Sequence, residues 1–380
     1  MKIALVDDYL NKYGGAAQVL AAIHEVYPEA PIYAIFSNVN RGKDKFLDAK
    51  FGKAKIIESW FAKIPFHENL ISPLRFLIPL IWSSFNFSDY DLVISSASWA
   101  ITKGFAKDKT KEICYCHTPP RYLYGYETSR NMQKHWHIRF YATVVNHFMR
   151  QYDFRRAQKV TWFIANSHEV QRRIKKFYCR DSVVIHPPVE INEKIKLRAK
   201  KEDFFLTGGR LEAPKNFELI IRAVNKLKAN LKVYGRGPRE EYLRKIAGQT
   251  VEFLGPISDL ERQEQMSRAK AFIVAATDED FGITPVEAMA AGCPVIAFRG
   301  GGYLESVVEG KTGEFFPPSS ADWRTSAGHS DQATVEALVS KLQNFRTSKY
   351  RPEDCRRQAE KFSKERFVRE IKAFVKSKTS

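Results

Sequence analysis

Two glutamates and the loop between them are the residues of this chain best suited to chemistry. Glu279 and Glu287 stand eight positions apart, and the stretch DFGITPV at 280–286 separates them. A helix that starts in this stretch offers unpaired backbone N–H groups and partial positive charge to an anion, usually a phosphate. Carboxylates repel phosphate but accept hydrogen bonds from hydroxyls. A sugar nucleotide has a diphosphate for the helix and hydroxyls for both glutamates, so the loop is a candidate sugar-nucleotide site.

A strand before the loop and a helix after it position the two carboxylates. Residues 271–276, AFIVAA, form an apolar run bounded by polar residues, which is typical of a buried strand. Thr284 suits the N-cap of the next helix, Pro285 its first position and Glu287 its third, where a carboxylate closes a capping box. The helix is expected to end near Gly292, because glycine suits the position just past a helix end. Glu287 alone is therefore more typical of a cap, and only the pairing of the two glutamates favours a binding role.

Two cations and a histidine follow other predicted strands. Arg210 and Lys215 flank the turn GGRLEAPKN after the strand FFLTG. Cations at a turn are normally solvated, but opposite a helix N-terminus they form a clamp for a departing diphosphate. His117 directly follows the strand EICYC, and Pro119 and Pro120 stiffen the turn that holds it. A lone histidine is usually structural, yet ligands of a parallel sheet gather at the carboxyl ends of its strands.

Strand-like and helical runs alternate in both halves of the chain, which predicts an α/β protein with parallel sheets covered by helices. The first strand, IALVD at 3–7, is followed by Gly14 and Gly15, which open a helix. Paired glycines let the backbone approach a phosphate or sugar closely, although a plain tight turn explains them equally well. A chain of 380 residues suits two domains of this kind.

Several motifs, taken in their order along the chain, resemble those of one family. They are VDDYLNKYGGAAQVL, YCHTPPRYLY, FLTGGRLEAPKN, the stretch from Glu279 to Val295, and AFRGGGYLESVVEGKTGEFF. They look like the motifs of retaining GT-B glycosyltransferases, specifically glycosyltransferase family 4 with its Glu-x7-Glu signature, and most of all its bacterial polysaccharide and O-antigen mannosyltransferases. The resemblance covers most of the chain.

The resemblance implies a role for each candidate residue. Catalytic roles fall to Glu279, which orients the sugar, to His117, which hydrogen-bonds a sugar hydroxyl, and to the diphosphate clamp of Arg210 and Lys215. Acceptor contacts are implied for Arg121 and Tyr122, and donor contacts for a larger set that borders the nucleotide and its diphosphate: Gly14, Gly15, Gly235, Leu254, Phe281, Gly282, Ile283, Thr284 and Glu287.

The same resemblance implies the GT-B architecture, with two Rossmann-like domains facing each other across a cleft. The N-terminal, acceptor-binding domain is expected at 1–186, a hinge at 187–202, the nucleotide-sugar-binding domain at 203–355, and a C-terminal helix at 356–380 that crosses back to the N-terminal domain. The hinge follows from a charged, glycine-free segment after Pro187 and Pro188.

The implied reaction moves a sugar from a nucleotide-diphosphate donor to a saccharide or polyprenyl-diphosphate-linked acceptor, in polysaccharide or lipopolysaccharide biosynthesis. Mannose from GDP-mannose is the expected donor, with UDP-sugars as the alternative. Configuration at the anomeric carbon is retained, and no side chain stands out as a nucleophile.

Asp278, Glu279 and Asp280 spell the metal-binding DxD of another glycosyltransferase fold, but the cationic clamp already neutralises the diphosphate. We therefore expect no metal and no other cofactor. Phosphorylases, epimerases and silent relatives share the fold, but nothing marks a pyridoxal-phosphate lysine.

Charge and composition bear on partners. Lys plus Arg exceed Asp plus Glu by 61 − 43 = 18, which implies an anionic partner: nucleic acid, an anionic lipid surface or a phosphorylated substrate. A basic nucleic-acid-binding protein is the alternative of a different class, but no nucleic-acid fold signature accompanies the charge, and we expect no nucleic acid. The aromatic segment 56–87 fits either core helices or a surface that contacts an anionic membrane.

The compartment follows from cysteines and hydropathy. Five cysteines lack any metal-ligand or disulfide spacing, which is typical of reduced thiols in the cytoplasm. No secretory signal opens the chain, and the apolar run FLIPLIW at 76–82 is too short to cross a bilayer. We expect a cytoplasmic protein that binds peripherally to the inner membrane.

Overall fold

The computed structural model describes residues 1–128, 136–317 and 332–379 of the chain. These residues form two compact units. One unit contains residues 1–126, 136–188 and 364–379, and the other contains residues 127–128, 189–317 and 332–363. The predicted α/β alternation is present in each.

The first unit is built on a parallel sheet. Its strand order is β3-β2-β1-β4-β5-β6-β7 among the described residues. Apolar side chains line both faces of the central strands, as helices on both sides of a sheet require. The strands are β1 (Ile3–Asp7), β2 (Ile32–Ala34), β3 (Ile56–Glu58), β4 (Leu92–Ala97), β5 (Lys111–Cys116), β6 (Trp162–Ala165) and β7 (Ser182–Val184).

Six helices connect these strands in the described part of the unit, with short 3-10 turns between some of them. They are α1 (Gly15–Val26), α2 (Lys45–Phe51), α3 (His67–Leu70), α4 (Ile78–Ser83), α5 (Trp136–Lys159) and α6 (His168–Tyr178). Helix α6 begins where the Ser167 hydroxyl accepts a hydrogen bond from the Val170 N–H.

The second unit repeats the plan. Its described strands lie in the order β10-β9-β8-β11-β12-β13, again all parallel. The strands are β8 (Phe205–Gly208), β9 (Leu231–Tyr234), β10 (Val251–Gly255), β11 (Phe272–Val274), β12 (Val295–Phe298) and β13 (Gly313–Phe316). The helices of this unit are α7 (Phe217–Leu227), α8 (Glu240–Ile246), α9 (Asp259–Arg268), α10 (Ile283–Ala290), α11 (Tyr303–Ser306), α12 (Gln332–Asn344) and α13 (Pro352–Glu360).

The C-terminal part of the chain differs from the prediction. Instead of one helix over 356–380, α13 belongs to the second unit and α14 (Lys364–Thr379) to the first. Helix α14 buries Phe367, Ile371 and Val375 in the core of the first unit. The apolar spacing that suggested a single helix continues across the break between them, so it did not reveal that the two helices pack on different cores.

The predicted hinge at 187–202 also differs. From Val189 onward these residues lie in the second unit. The Val189 N–H donates to the Phe362 carbonyl over 2.9 Å, and Val189 and Ile195 are buried in that unit's core. The charges of the segment are exposed while its few apolar side chains anchor it, which composition alone does not show.

The segment 56–87 packs partly in the core of the first unit, as one of its two interpretations predicted, and the contact with a membrane stays a prediction. It begins with strand β3 and continues through α3 and α4. Phe61, Ile78 and Trp82 are fully buried in the core of the first unit. Phe66 and Leu80 are exposed.

Each sheet reverses its winding direction between two strands, β1 and β4 in the first unit and β8 and β11 in the second. Loops that leave the carboxyl ends of such a strand pair diverge to opposite faces and leave a crevice, where ligands of open α/β sheets bind. Ligands are therefore expected at the loops after β1, β4, β8 and β11.

Candidate active site

The loops after β8 and β11 bring together a lysine and a glutamate that the sequence places 64 residues apart. Lys215 Nζ lies 2.7 Å from Glu279 Oε2. The Tyr303 hydroxyl, at the start of α11, donates to the same carboxylate oxygen over 3.3 Å. Glu279 is thus mostly buried and held from two sides. Both residues were predicted site residues, and the structure places them in contact.

Helix α10 begins two residues earlier than predicted. Gly282, not Thr284, is its N-cap, and no side chain caps the helix. Gly282 has φ +86°, and a Cβ there would lie 2.7 Å from the Tyr303 ring. Thr284 is consequently the second helical residue, and the predicted capping box does not form. The N–H groups at Ile283 and Thr284 lack a capping side chain and remain suited to an anion.

Glu287 has a different partner from the one the capping box required. Its carboxylate oxygen Oε1 lies 3.3 Å from Nη2 of Arg262 on α9, which also contacts Asp259 at 3.1 Å. Burial favours the neutral form of Arg262, but the neighbouring acidic groups, Glu287 first and then Tyr234 and Asp259, together outweigh burial and raise the pKa of Arg262. Nearby, the Tyr234 hydroxyl is buried without a hydrogen-bond partner in the described structure. Arg262 was not among the predicted site residues, because it lies in a charged helix that looks solvated.

The other predicted donor residues have mixed environments. Arg210 has a 76% exposed side chain, and its ion pair is with Glu212 at 3.8 Å. Leu254 packs at the edge of the core. Phe281 is buried in that core, 5.3 Å from the ring of Phe362, so its side chain is not available to a ligand. Only the backbone of Phe281 is available to a ligand.

Gly235 is required by the packing of the backbone. It has φ +105°, and a Cβ there would lie 1.9 Å from the Gly209 carbonyl oxygen. Its own N–H donates to the Gly255 carbonyl over 2.7 Å. The glycine turns after β8, β9 and β10 are therefore stacked on one another at the carboxyl edge of the sheet.

A second polar group lies at the carboxyl edge of the first sheet. His117 follows β5, and its Nε2 is 2.9 Å from the Ser96 hydroxyl on β4. Asp7, at the end of β1, is in register with Ser96 on β4. Burial, and then the adjacent charge of Asp8, raises the pKa of Asp7 to about 8. The sequence predicted His117 but treated Asp7 as only the polar end of a strand.

Asp8 is buried beside Asp7 but is differently bonded. The backbone N–H groups of Trp99 and Ala100 and the Thr102 hydroxyl donate to its carboxylate. Burial raises the pKa of Asp8, while these donors oppose the shift. Asp8 thereby fixes the loop after β4 to the loop after β1.

The remaining predicted residues lie on neighbouring loops of the first unit. Gly14 is the extended N-cap of α1 and has open space around its missing Cβ, with Gly15 as the first helical residue. Arg121 and Tyr122 begin a short 3-10 turn. The Tyr122 hydroxyl is buried with no hydrogen-bond partner in the described structure, and burial raises its pKa.

The comparisons with known proteins concern the fold and the family. Residues 189–362 match the model of a family described as glycosyl transferases group 1. The crystal structure of Anabaena Alr3699/HepE in complex with UDP and glucose has a TM-score of 0.70 at 18% identity, covering 99% of this chain and 100% of that one. The lipopolysaccharide outer core galactosyltransferase WaaB, in its apo form, has a TM-score of 0.64 at 17% identity and covers 100% of both chains. The chain has the GT-B fold. The predicted fold class is thereby confirmed.

Curated relatives of this GT-B chain match it over part of their length. Alpha-1,3/1,6-mannosyltransferase ALG2 of Dictyostelium discoideum is 33% identical over 165 residues, or 36% of this chain. In this and two further curated relatives the match spans 39%, 23% and 45% of the relative's own length.

The described residues also bear on metals and membranes. They contain no group of three or more His, Cys, Asp and Glu side chains placed to hold a metal ion. None of the described helices combines the length and the hydropathy that a bilayer-spanning segment needs. Metal independence remains a prediction.

Proposed function

We propose that this protein is a retaining glycosyltransferase that moves a sugar from a nucleotide-diphosphate donor to a saccharide or lipid-linked saccharide acceptor. The observation that carries the proposal is the contact between Lys215 and Glu279 beside the uncapped start of α10. A cation, a carboxylate and a helix N-terminus together suit the two ends of a sugar diphosphate. The match of residues 189–362 to glycosyl transferases group 1 supports the same activity.

In the proposed reaction the second unit stabilises the leaving group. The diphosphate gains negative charge as the anomeric carbon–oxygen bond breaks, and the amides at the start of α10 and the ammonium group of Lys215 stabilise that charge. Arg210 is exposed on a long side chain and joins the clamp when the diphosphate binds. Glu279 accepts hydrogen bonds from the sugar hydroxyls, and Glu287, held by Arg262, accepts them from the ribose.

The first unit is proposed to supply the remaining groups. His117 hydrogen-bonds a hydroxyl of the transferred sugar, Gly14 and Gly15 border the donor diphosphate, and Arg121 and Tyr122 contact the acceptor. No described side chain has the environment of an activated nucleophile, so we propose that the departing phosphate oxygen takes the acceptor's proton on the face from which the acceptor attacks. Configuration at the anomeric carbon is then retained.

The site assignment is tested by Glu279→Gln. The amide keeps the size of the side chain but replaces one acceptor oxygen by an NH2 donor and removes the negative charge that holds Lys215. Sugar transfer should fall at least about tenfold while the nucleoside diphosphate still binds. Glu309→Gln, which alters an exposed ion pair with Arg299 in the same unit, is the matched control. Equal transfer by Glu279→Gln and the control would remove Glu279 from the site.

The donor is proposed to be GDP-mannose, with a UDP-sugar as the second candidate. The mannosyltransferase ALG2 supports the first, and the complex of HepE with UDP and glucose supports the second. A thermal-shift screen with UDP-, GDP- and ADP-sugars separates them, since a ligand at about 100 times its Kd adds roughly 2.7 kcal/mol to the stability. Stabilisation by UDP-glucose but not by GDP-mannose would reverse the order.

We propose that the reaction needs no metal, because Lys215, Arg210 and the helix N-terminus neutralise the diphosphate. Turnover in EDTA should equal turnover without it. Turnover abolished by EDTA and restored by Mn²⁺ would contradict the proposal.

The acceptor side is proposed to work at an anionic membrane, as expected of an enzyme of polysaccharide or lipopolysaccharide assembly that uses a polyprenyl-diphosphate-linked acceptor. Helix α5 exposes Trp136, Phe140 and Phe148 to 73%, 67% and 64%, at spacings of four and eight residues along one side. Its single carboxylate, Asp153, is buried against Lys103. The exposed charge of α5 is therefore positive, and comes from Arg139, Arg150, Arg155 and Lys159.

An aromatic, basic helix face fits the interface of an anionic bilayer, where each basic residue adds about 1 kcal/mol. The protein should co-sediment with anionic vesicles and not with neutral ones, and the double variant Trp136→Ala/Phe140→Ala should release it. Leu260→Ala, an exposed apolar residue on α9, is the control. Equal, negligible binding to both vesicle types would refute the membrane proposal.

The free state of all five cysteines supports a cytoplasmic location.

A further inference from the structure

One buried arginine of helix α6 contacts both ends of the loop that carries His117. Residues 117–126 follow strand β5, and we call them the His117 loop. Arg173 is 2% exposed, and its Nη1 donates to the Thr118 hydroxyl over 3.1 Å. The same guanidinium group lies over the Tyr126 ring, with Cζ 4.3 Å from the ring centroid. Arg173 thus links the start of the His117 loop to its end.

The helical period determines which side of α6 faces the loop. Glu169, Arg173 and Phe177 are spaced four residues apart, which places their side chains on one side of the helix. Glu169 Oε1 accepts a hydrogen bond from Arg173 Nε over 3.2 Å, so the buried cation has an anionic partner. Phe177 stacks on Tyr124 of the loop, with ring centroids 4.2 Å apart. One row of α6 side chains therefore packs along the loop.

The position of Arg173 serves more than an ion pair within one helix. A buried cation costs free energy unless its N–H groups are hydrogen-bonded, and an exposed position on α6 would avoid that cost. The observed position directs one N–H group at Thr118, the residue after His117. Arginine suits this task because its planar fork donates hydrogen bonds and stacks on an aromatic ring at once, which lysine cannot do. The contacts therefore favour a role in shaping the loop.

We propose that Arg173 is a positioning residue that holds the His117 loop in the conformation in which its side chains meet the sugar and the acceptor. This inference rests on the proposed function, in which His117 contacts the transferred sugar and Arg121 the acceptor. Loss of the hydrogen bond to Thr118 frees the residue next to His117. A displacement of about 1 Å at a reacting group can lower a rate about 10²-fold.

The first test needs no substrate. Hydrogen–deuterium exchange of the full chain reports on the loop, because the N–H groups of Tyr124 and Tyr126 both donate to the Arg121 carbonyl within it. Thr118→Val keeps the shape of the side chain but removes the hydroxyl, and it should raise exchange in peptides that cover the loop about tenfold. Thr118→Ser keeps the hydroxyl and should exchange like the wild type.

Two arginine variants complete this test. Arg173→Lys should have the same effect as Thr118→Val, because the ammonium group keeps the charge beside Glu169 but not the planar fork. Arg172→Gln is the matched control, because Arg172 has a 65% exposed side chain and pairs with the other carboxylate oxygen of Glu169. Exchange of the loop should be unchanged in the control. Unchanged exchange in both Thr118→Val and Arg173→Lys overturns the inference, and so does an equal increase in Arg172→Gln.

The second test uses sugar transfer, followed as release of GDP from GDP-mannose or of UDP from UDP-glucose. Thr118→Val and Arg173→Lys should each lower kcat about 10–10²-fold, whereas Thr118→Ser and Arg172→Gln should retain it. The affinity for GDP or UDP, measured by calorimetry, should not change, because Lys215 and Glu287 lie in the second unit. A merely structural role of Arg173 would not separate kcat from nucleotide affinity in this way.

A double variant shows whether the two residues act through one contact. Thr118→Val/Arg173→Lys should lose no more kcat than the more damaging single variant, because both substitutions remove the same hydrogen bond. Losses that multiply in the double variant, or a weaker affinity for the nucleoside diphosphate, overturn the inference. Faster exchange of the loop in Thr118→Val, in a protein that transfers no sugar from any donor, supports the contact between Arg173 and the loop and refutes the proposed function instead.

Discussion

Lys215 contacts Glu279 over 2.7 Å although the two residues come from loops after different strands. Strands β8 and β11 are neighbours in the sheet, and the winding direction reverses between them. The contact is thus a product of topology. In the proposed function, a lysine held in this way has lost part of its conformational freedom before the diphosphate arrives, and its position is fixed by the carboxylate that is proposed to bind the sugar.

Lys215→Gln should lower kcat for sugar transfer about 10²–10³-fold, because one charge that stabilises the leaving diphosphate is removed. The stability of the protein should change little, since a partly exposed ion pair contributes only about 0–1 kcal/mol. Steady-state kinetics and a urea melt measure the two effects. Lys226→Gln removes a comparably exposed lysine from an ion pair with Glu336 and should leave kcat unchanged. An equal loss in both variants would show that the effect is not specific to the site.

Arg262→Gln should raise KM for the donor about tenfold or more with a smaller change in kcat, because the orientation of Glu287 toward the ribose is lost in the ground state and the transition state alike. The expected size corresponds to about 1.4 kcal/mol, a modest value for a charged hydrogen bond. Donor titration by calorimetry and initial-rate kinetics measure it. Arg268→Gln is the control, because Arg268 lies on the same helix as Arg262 and forms an ion pair with Glu202 instead. An unchanged KM in Arg262→Gln would reduce the Arg262–Glu287 contact to a structural role.

Substitution by alanine should lower the stability of the protein at one predicted site glycine and leave it unchanged at another. Gly282→Ala places a Cβ 2.7 Å from Tyr303 at a positive φ, which costs at least about 1–2 kcal/mol and should lower the melting temperature. Gly14→Ala meets no atom within 4 Å at φ −168° and should fold normally. A loss of donor affinity in Gly14→Ala at unchanged stability would therefore indicate close approach of a ligand. Thermal melts and donor titration of both variants measure this, and full affinity in Gly14→Ala would favour a plain turn.

The fold was predictable from the sequence because its signals are local. The run AFIVAA at 271–276 marks β11, and Gly292, with φ +73°, ends α10 where expected. The start of α10 was not predictable, because the chain prefers the left-handed Gly282 packed on Tyr303 over the side-chain cap that Thr284 offers. Strand β13 was not predicted because it is short, and helix α12 was missed although Val335, Leu338, Val339 and Leu342 have the i, i+3, i+4, i+7 spacing of an apolar helix face.

The candidate site was predictable only where its residues follow a strand. Lys215, Glu279 and His117 do, and a parallel sheet collects such residues at one edge. Arg262 lies within a charged helix, and its approach to Glu287 depends on how α9 and α10 pack.

Asp7→Asn should stabilise the protein at alkaline pH. The pKa of Asp7 is raised to about 8 in the folded protein by burial and by Asp8, whereas a carboxyl group in an unfolded chain titrates near its ordinary value of about 3.9. Between these values the folded state binds the extra proton, so the stability of the wild-type protein falls as pH rises, by up to about 1.4 kcal/mol per pH unit, and levels off above the folded pKa. Asparagine carries no proton to lose. Urea melts at pH 4, 6, 8 and 9 should show an advantage of Asp7→Asn that grows through this window, whereas Asp91→Asn, an exposed carboxyl at the other end of the sheet, should show none. An advantage of Asp7→Asn that is independent of pH would mean that Asp7 is ionised throughout, and it would contradict the raised pKa.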